Sequence, residues 1–128
     1  MKRIDEISGD VIGAAMAIHR ELGPGLLESV YETILASKLS RLGYEVEKQK
    51  ALALVYEDMH FPVAFKIDLL VDQRLVVELK SVERLQPVHS KQLLTYLRLM
   101  KLPVGLLVNF GCDTLKEGVK RVVNNHDD

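Results

Sequence analysis

The segment that most restricts the fold is Lys66-Ile67-Asp68-Leu69-Leu70-Val71, followed by Asp72-Gln73-Arg74 and then Leu75-Val76-Val77-Glu78-Leu79-Lys80. Two runs of β-formers separated by three polar residues predict a hairpin. With residues 72–74 as the loop, Val71 faces Leu75, Leu69 faces Val77 and Ile67 faces Leu79, so one face is apolar throughout. On the other face Leu70 meets Val76, Asp68 meets Glu78 and Lys66 meets Lys80. A loop one residue longer or shorter sets Asp68 against an apolar residue and spoils both faces, because strand side chains alternate with a period of two.

That register has an electrostatic consequence. Carboxylates directly across a strand pair have Cβ atoms roughly 4.5–5.5 Å apart, where repulsion at an effective dielectric near 20 is on the order of 3 kcal/mol. Such a cost is relieved by a raised pKa on one carboxyl, by a bridging lysine, or by a divalent cation. Hard oxygen ligands from two strands, with room for water, suit magnesium or manganese. Lys80 projects from the same face as Glu78 and is placed to hold a water or a developing phosphoryl charge. A solvated strand face with cross-strand Lys and Asp/Glu pairs is the plainer reading, and it leaves Leu70 and Val76 in water.

Around the hairpin, apolar spacing predicts two helices first. Ile7, Val11, Ala14, Ala15, Ile18 and Leu22 recur at three and four, with Ser8 as N-cap and Gly23 as the stop. A second helix runs from Leu27 to Leu42, closed by Gly43, with Leu27, Tyr31, Ile34, Leu35, Leu39 and Leu42 on one side. Tyr44 to Tyr56, Phe61 to Val71 and Leu75 to Val82 read as strands, Pro87 to Met100 as a helix, and Val104 to Phe110 as a buried strand. The tail from Thr114 to Asn124 is open between a short helix and an edge strand, and residues 125–128 are expected to fray. The order α-α-β-β-β-α-β plus a tail predicts an α/β (α+β) architecture, a small mixed sheet flanked by helices.

Composition narrows the class. The 128 residues fit a single domain, residues 1–128, large enough to bury roughly two-thirds of the unfolded surface. Apolar content of 48% with 27% charged residues is globular rather than disordered. Seventeen Lys and Arg against eighteen Asp and Glu argue against a domain held to nucleic acid by bulk positive charge. They leave open a site that concentrates negative charge locally. No apolar run approaches the roughly 20 residues of a membrane span. The chain opens with no basic region leading into an apolar one, and its single cysteine, Cys112, supplies no disulfide or zinc pattern, so the cytoplasm is the expected compartment.

Three further features bear on a site. Glu28 falls in the helical arc of Tyr31, Leu35, Leu39 and Leu42 and is expected to point inward, although an acid in a first helical turn also complements the helix dipole. Gln92 and Tyr96, four apart, share a helix face, as surface polar pairs also do. His19 precedes Gly23 by four residues and reads either as packed or as a neighbour of the same region.

At these positions the sequence resembles a known group. Gly25-Leu26-Leu27-Glu28-Ser29-Val30-Tyr31 has the spacing G-x-x-E-x-x-Y of the small bacterial and archaeal "GxxExxY" proteins. The likeness continues through Asp68-Leu69-Leu70-Val71, Val77-Glu78-Leu79-Lys80, Gln92-Leu93-Leu94-Thr95-Tyr96-Leu97 and Gly105-Leu106-Leu107-Val108-Asn109-Phe110-Gly111, from about His19 to Val122. That family is grouped with the PD-(D/E)xK nuclease-like superfamily, with Ile67 standing where the superfamily often has Pro. The resemblance implies a restriction-endonuclease-like core with catalytic Glu28, Asp68, Glu78 and Lys80. It also implies a magnesium ion, replaceable by manganese, held by Asp68, Glu78 and the Leu79 carbonyl, with Glu28 as a direct or water-mediated ligand. Gln92, Tyr96, Tyr31 and His19 would then support the site.

The activity implied is magnesium-dependent phosphodiester hydrolysis, on DNA rather than RNA by analogy. Its alternatives are a catalytically silent nuclease-like domain that binds nucleic acid or protein as a regulatory subunit, and a purely structural domain. A nucleic-acid partner is expected, no membrane, and, because so small a domain lacks a separate recognition module, a homodimer or protein partner to complete the contact.

Overall fold

The computed structural model describes residues 2–124. Residues 125–128, expected to fray, lie outside the described residues. The elements are α1 (Ile4–Leu22), α2 (Glu28–Arg41), β1 (Val46–Tyr56), β2 (Met59–Val71), β3 (Leu75–Lys80), α3 (Pro87–Met100), β4 (Val104–Asn109), α4 (Leu115–Gly118) and β5 (Val119–Val123). They form a mixed sheet in the order β1-β2-β3-β4-β5 with helices against both faces. The expected order therefore holds, and the ambiguous tail resolves into both of its alternatives, a short helix followed by an edge strand.

The two central strands explain themselves. Leu75–Leu79 of β3 and all of β4 are buried, and apart from Glu78 and Asn109 they are apolar, as strands covered on both faces are. They pair in parallel from Leu75↔Val104 to Lys80↔Asn109. A parallel pair needs a crossover, and α3 supplies it. β2 and β5 then add antiparallel on either side.

The helices divide the core. α1 and α2 bury Ile7, Val11, Ile18, Tyr31, Leu35 and Leu39 against one face, where Leu69, Val71, Leu75, Val77 and Leu79 meet them. On the other face Leu93 and Leu97 of α3 cover Ile67, Leu70, Val76, Leu107 and Val122. Leu70 and Val76, which a solvated face would have exposed, are thus buried.

Four local expectations are corrected. α1 begins at Ile4, one turn earlier than Ser8, because the Glu6 carboxylate accepts the Arg3 main-chain N–H at 2.9 Å and caps the turn. Ser8 is buried inside the helix and its hydroxyl donates to the Asp5 carbonyl at 3.1 Å. Leu27 and Leu42, read as ends of the apolar stripe of α2, are its caps and are 74% and 56% exposed. Ile67 does not share a face with Leu69 and Leu79; it belongs to the α3 side with Leu70 and Val76. The hairpin register is as expected at Val71↔Leu75, Leu70↔Val76 and Leu69↔Val77, but the ladder pairs stop there. Beyond Leu69 the strict alternation is lost, and Lys66 and Lys80 are not a ladder pair.

The end of β3 is fastened from β4. Asn109 is fully buried; its Oδ1 accepts from the N–H groups of Val82 and Gly111, each at 3.0 Å, and its Nδ2 donates to the Val82 carbonyl at 2.9 Å. Gly111 fits against this strap because it has no side chain. A Cβ there would lie 2.2 Å from the Val82 carbonyl oxygen and 2.6 Å from its nitrogen. Gly111→Ala is therefore expected to destabilise the fold by about 3 kcal/mol, the upper part of the usual overpacking range, read as a lower urea midpoint. An unchanged midpoint would show that the strap is free to shift.

Candidate active site

The site lies where the β2–β3 ladder stops. Asp68 and Glu78 sit at that point, and each carboxylate reaches across to the other strand's main chain. Asp68 Oδ2 accepts the Leu79 N–H at 2.8 Å, and Glu78 Oε2 accepts the Asp68 N–H at 3.3 Å. Side chains have thus replaced the main-chain acceptors of a regular ladder. A strand residue's N–H and C=O point to the same edge, so the Leu79 carbonyl faces the same opening.

Glu78 is buried, with 7% of its surface exposed. Burial pushes its carboxyl up to about 9, and the adjacent Asp68 carboxylate adds to the rise. The Asp68 N–H and the Lys80 ammonium oppose it. Lys80 is half-buried and has no acidic group within ion-pair distance among the described residues, so its charge is free for something else. The pair needs either a proton or added positive charge.

Glu28 behaves differently from the helical-wheel expectation. At the start of α2 its side chain is exposed, not inward, but its Oε2 accepts the Ser81 N–H at 3.3 Å just past the end of β3. It thus borders the same region, beside an open recess of about 570 Å³ lined by Gly25, Leu26, Leu27, Ser29 and Ser81. The inward carboxylate of α2 is Glu32, one turn later. Buried to 7% exposure, it accepts from Gln49 Nε2 at 2.7 Å, and the same nitrogen donates to Asp68 Oδ1 at 3.1 Å. Burial raises the Glu32 carboxyl despite the Gln49 bond, with Asp68 and Glu28 contributing. Gln49 has φ 49° and sits where the β1–β2 pairing skips from Lys48↔Leu69 to Lys50↔Ile67.

Sequence reasoning missed both Glu32 and Gln49. Glu32 had a signal, since it is four residues after Glu28 and so on the same helix face. Gln49 had none, because its position depends on a left-handed backbone within a strand.

The supporting residues divide. Tyr96 stacks on Phe65 with ring centroids 4.4 Å apart, and burial first, then the charges of Glu78 and Asp68, raise its phenol. Gln92 is exposed and its side chain makes no hydrogen bond among the described residues. Tyr31 and His19 are bonded elsewhere. The Tyr31 hydroxyl donates to the Gly23 carbonyl and accepts the Leu26 N–H, while its ring stacks on Phe110 at 4.3 Å, so it fixes the turn that delivers Glu28. His19 Nε2 bonds to the Cys112 carbonyl at 2.8 Å, tying α1 to the loop after β4.

Among the described residues no three His, Cys, Asp or Glu side chains gather tightly enough to enclose an ion unaided. The donors present are two carboxylates, a main-chain carbonyl and space for water. That set suits a small hard cation that keeps part of its hydration, not an ion needing a full protein cage.

A mixed sheet with helices on both faces, carrying Asp on one hairpin strand and Glu-x-Lys on the next, defines a nuclease-like domain of the restriction-endonuclease type. The model of the PD-(D/E)XK nuclease superfamily matches residues 5–122, and the chain belongs to that superfamily. Nucleases of this superfamily generally use divalent metal ions. No curated protein and no solved structure gives a significant match.

The Glu78 shift sets a pH dependence. Between the ordinary value of 4.5 and about 9 the folded protein holds a proton on Glu78 that the unfolded chain releases. Stability from this group is therefore complete below about pH 4.5 and is lost as pH rises toward 9. In chelator, the melting temperature of the wild type should fall across that window relative to Glu78→Gln, which carries no charge to bury. A gap between the two proteins that does not change with pH would sink this account.

Proposed function

We propose that this chain is a magnesium-dependent nuclease that hydrolyses phosphodiester bonds, with DNA preferred to RNA. The observation that carries the reading is the half-buried Asp68 carboxylate set against the buried Glu78, which calls for positive charge at the end of β3, with Lys80, two residues on, in no ion pair among the described residues. Asp68, Glu78 and the Leu79 carbonyl would hold the magnesium ion, with Glu28 reaching it directly or through water, and manganese as a substitute. Such an ion, when bound, polarises a phosphate oxygen and lowers the pKa of a coordinated water.

The chain's own groups do the remaining work. Lys80 orients the attacking water and offsets charge that develops on the phosphate. Gln49, by holding Asp68 Oδ1, leaves the carboxylate only a small range of orientations. Tyr96 and Gln92, at the α3 side, border the path of the substrate backbone. Since phosphoryl transfer depends on position and charge more than on covalent chemistry, losing one of these groups removes rate before it removes fold.

Purified protein should cleave DNA only when magnesium or manganese is added. Asp68→Asn and Lys80→Ala, purified identically to exclude a contaminating nuclease, should each lose about a hundredfold or more of that activity while melting cooperatively. Equal cleavage by wild type and variants would overturn the assignment. Calorimetric binding of manganese by the wild type, abolished in Glu78→Gln and unaccompanied by any cleavage, would favour the regulatory reading of the same fold.

A further inference from the structure

The hairpin of β1 and β2 is much longer than the sheet it belongs to. β3 pairs with β2 only at Leu69–Val71, whereas β1 and β2 continue to Tyr56↔Met59. The outer part, from Ala51 to Phe65, is therefore a two-stranded arm. Its base touches the α3 side through Leu52 and Phe65. Beyond them Val55, Tyr56, Met59, Phe61 and Val63 are between 44% and 59% exposed. Isolated two-stranded ribbons with apolar side chains are marginal in water, and exposed apolar surface of this extent signals a partner.

The two edges of the arm differ. On β2, three residues, Pro62, Val63 and Ala64, lie opposite the single Ala53, because pairing shifts between Leu52↔Phe65 and Leu54↔Phe61. A proline and a bulge are the usual means of blocking further pairing. On β1 nothing blocks it between Ala51 and Tyr56, the left-handed Gln49 lying below that stretch. β1 is the terminal strand, and among the described residues no main-chain group of residues 51–56 bonds to anything but β2. The six residues Ala51-Leu52-Ala53-Leu54-Val55-Tyr56 carry neither a charge nor a proline.

Charge on the arm points to its occupant. The tip bears Glu57 and Asp58; at the base Lys50 is paired with Glu47 at 3.1 Å, which leaves Lys48 on β1 and Lys66 one strand in as the excess positive charge. No cation lies between, so a nucleic-acid backbone finds nothing along the arm to neutralise it. A second copy of the arm does match. Laid antiparallel about a two-fold axis, each acidic tip falls at the other copy's basic base, and the uncharged stretches face each other. We infer that β1 pairs edge to edge with β1 of a second copy of this chain, about a two-fold axis near Ala53. The sheets of the two copies then run on as one.

Light scattering and sedimentation equilibrium on the full chain test this. The wild type should be a dimer, and Ala53→Lys, which brings two like charges to the axis from an exposed position, should weaken association by about tenfold or more. Reversing the tip with Glu57→Lys and Asp58→Lys should do the same, as should reversing the base with Lys48→Glu and Lys50→Glu. Mixed in equal amounts, the tip-reversed and base-reversed proteins should form a heterodimer, because each tip again meets an opposite base. A wild type that stays monomeric at every concentration, a dimer indifferent to Ala53→Lys, or reversed proteins that do not associate on mixing would each overturn the inference. Circular dichroism and melting of each variant separate loss of pairing from loss of fold.

Discussion

The structure depends on the exchange between Asp68 and Glu78, in which each carboxylate accepts a main-chain N–H from the opposite strand. A ladder built only of main-chain bonds would have closed β2 against β3 along its whole length. Here, beyond Leu69, the strands stay joined through the two carboxylates and not through ladder pairs. The energetic penalty is carried by Glu78, whose burial beside a second acid favours its neutral form. A carboxyl shifted so far by burial and a neighbouring acid is the kind of group that clusters at functional sites.

Everything around this point limits its freedom. Gln49 holds Asp68 from one side, Asn109 straps the chain beyond Lys80 from the other, and Tyr31 secures the Gly23–Leu26 turn ahead of Glu28. None of these three contributes to an apolar cluster through its polar atoms; they spend them on main chain, on neighbouring acids and, from Asn109 Nδ2, on the Cys112 sulfur. They are placed on different elements, so the site is held by agreement among β1, β4 and α2, and not by a single loop. The apolar clusters on the two faces of the sheet supply the rigidity on which that agreement rests.

The sequence made some of this readable and hid the rest for definable reasons. The hairpin register at Leu69 to Leu75 was legible because a one-residue slip reverses every side chain. α3 was legible from Pro87 and its stripe, and the burial of β4 from its continuous apolar run, while its parallel pairing with β3 was not read beyond the expectation of a mixed sheet. Ile67 was misplaced because the argument assumed an uninterrupted alternation, and Asp68 interrupts it. The inward carboxylate was placed one turn early: a helical wheel gives an angle, and not how deep the chain's entry sets each turn, so Glu28 was read in place of Glu32. Gln49 depends on a backbone conformation that no spacing rule announces, and His19 on a distant carbonyl at Cys112.

The left-handed backbone at Gln49 sets two requirements against each other. Glycine would occupy φ 49° without strain, yet it has no amide to hold Glu32 and Asp68 together. Losing the side chain would relieve the backbone but would also strip the buried Glu32 carboxyl of its bond from Gln49, so the two effects on stability oppose each other. At position 49 a left-handed backbone and the one amide that bridges the carboxylates of α2 and β2 are therefore a single feature, and neither can be changed without disturbing the other.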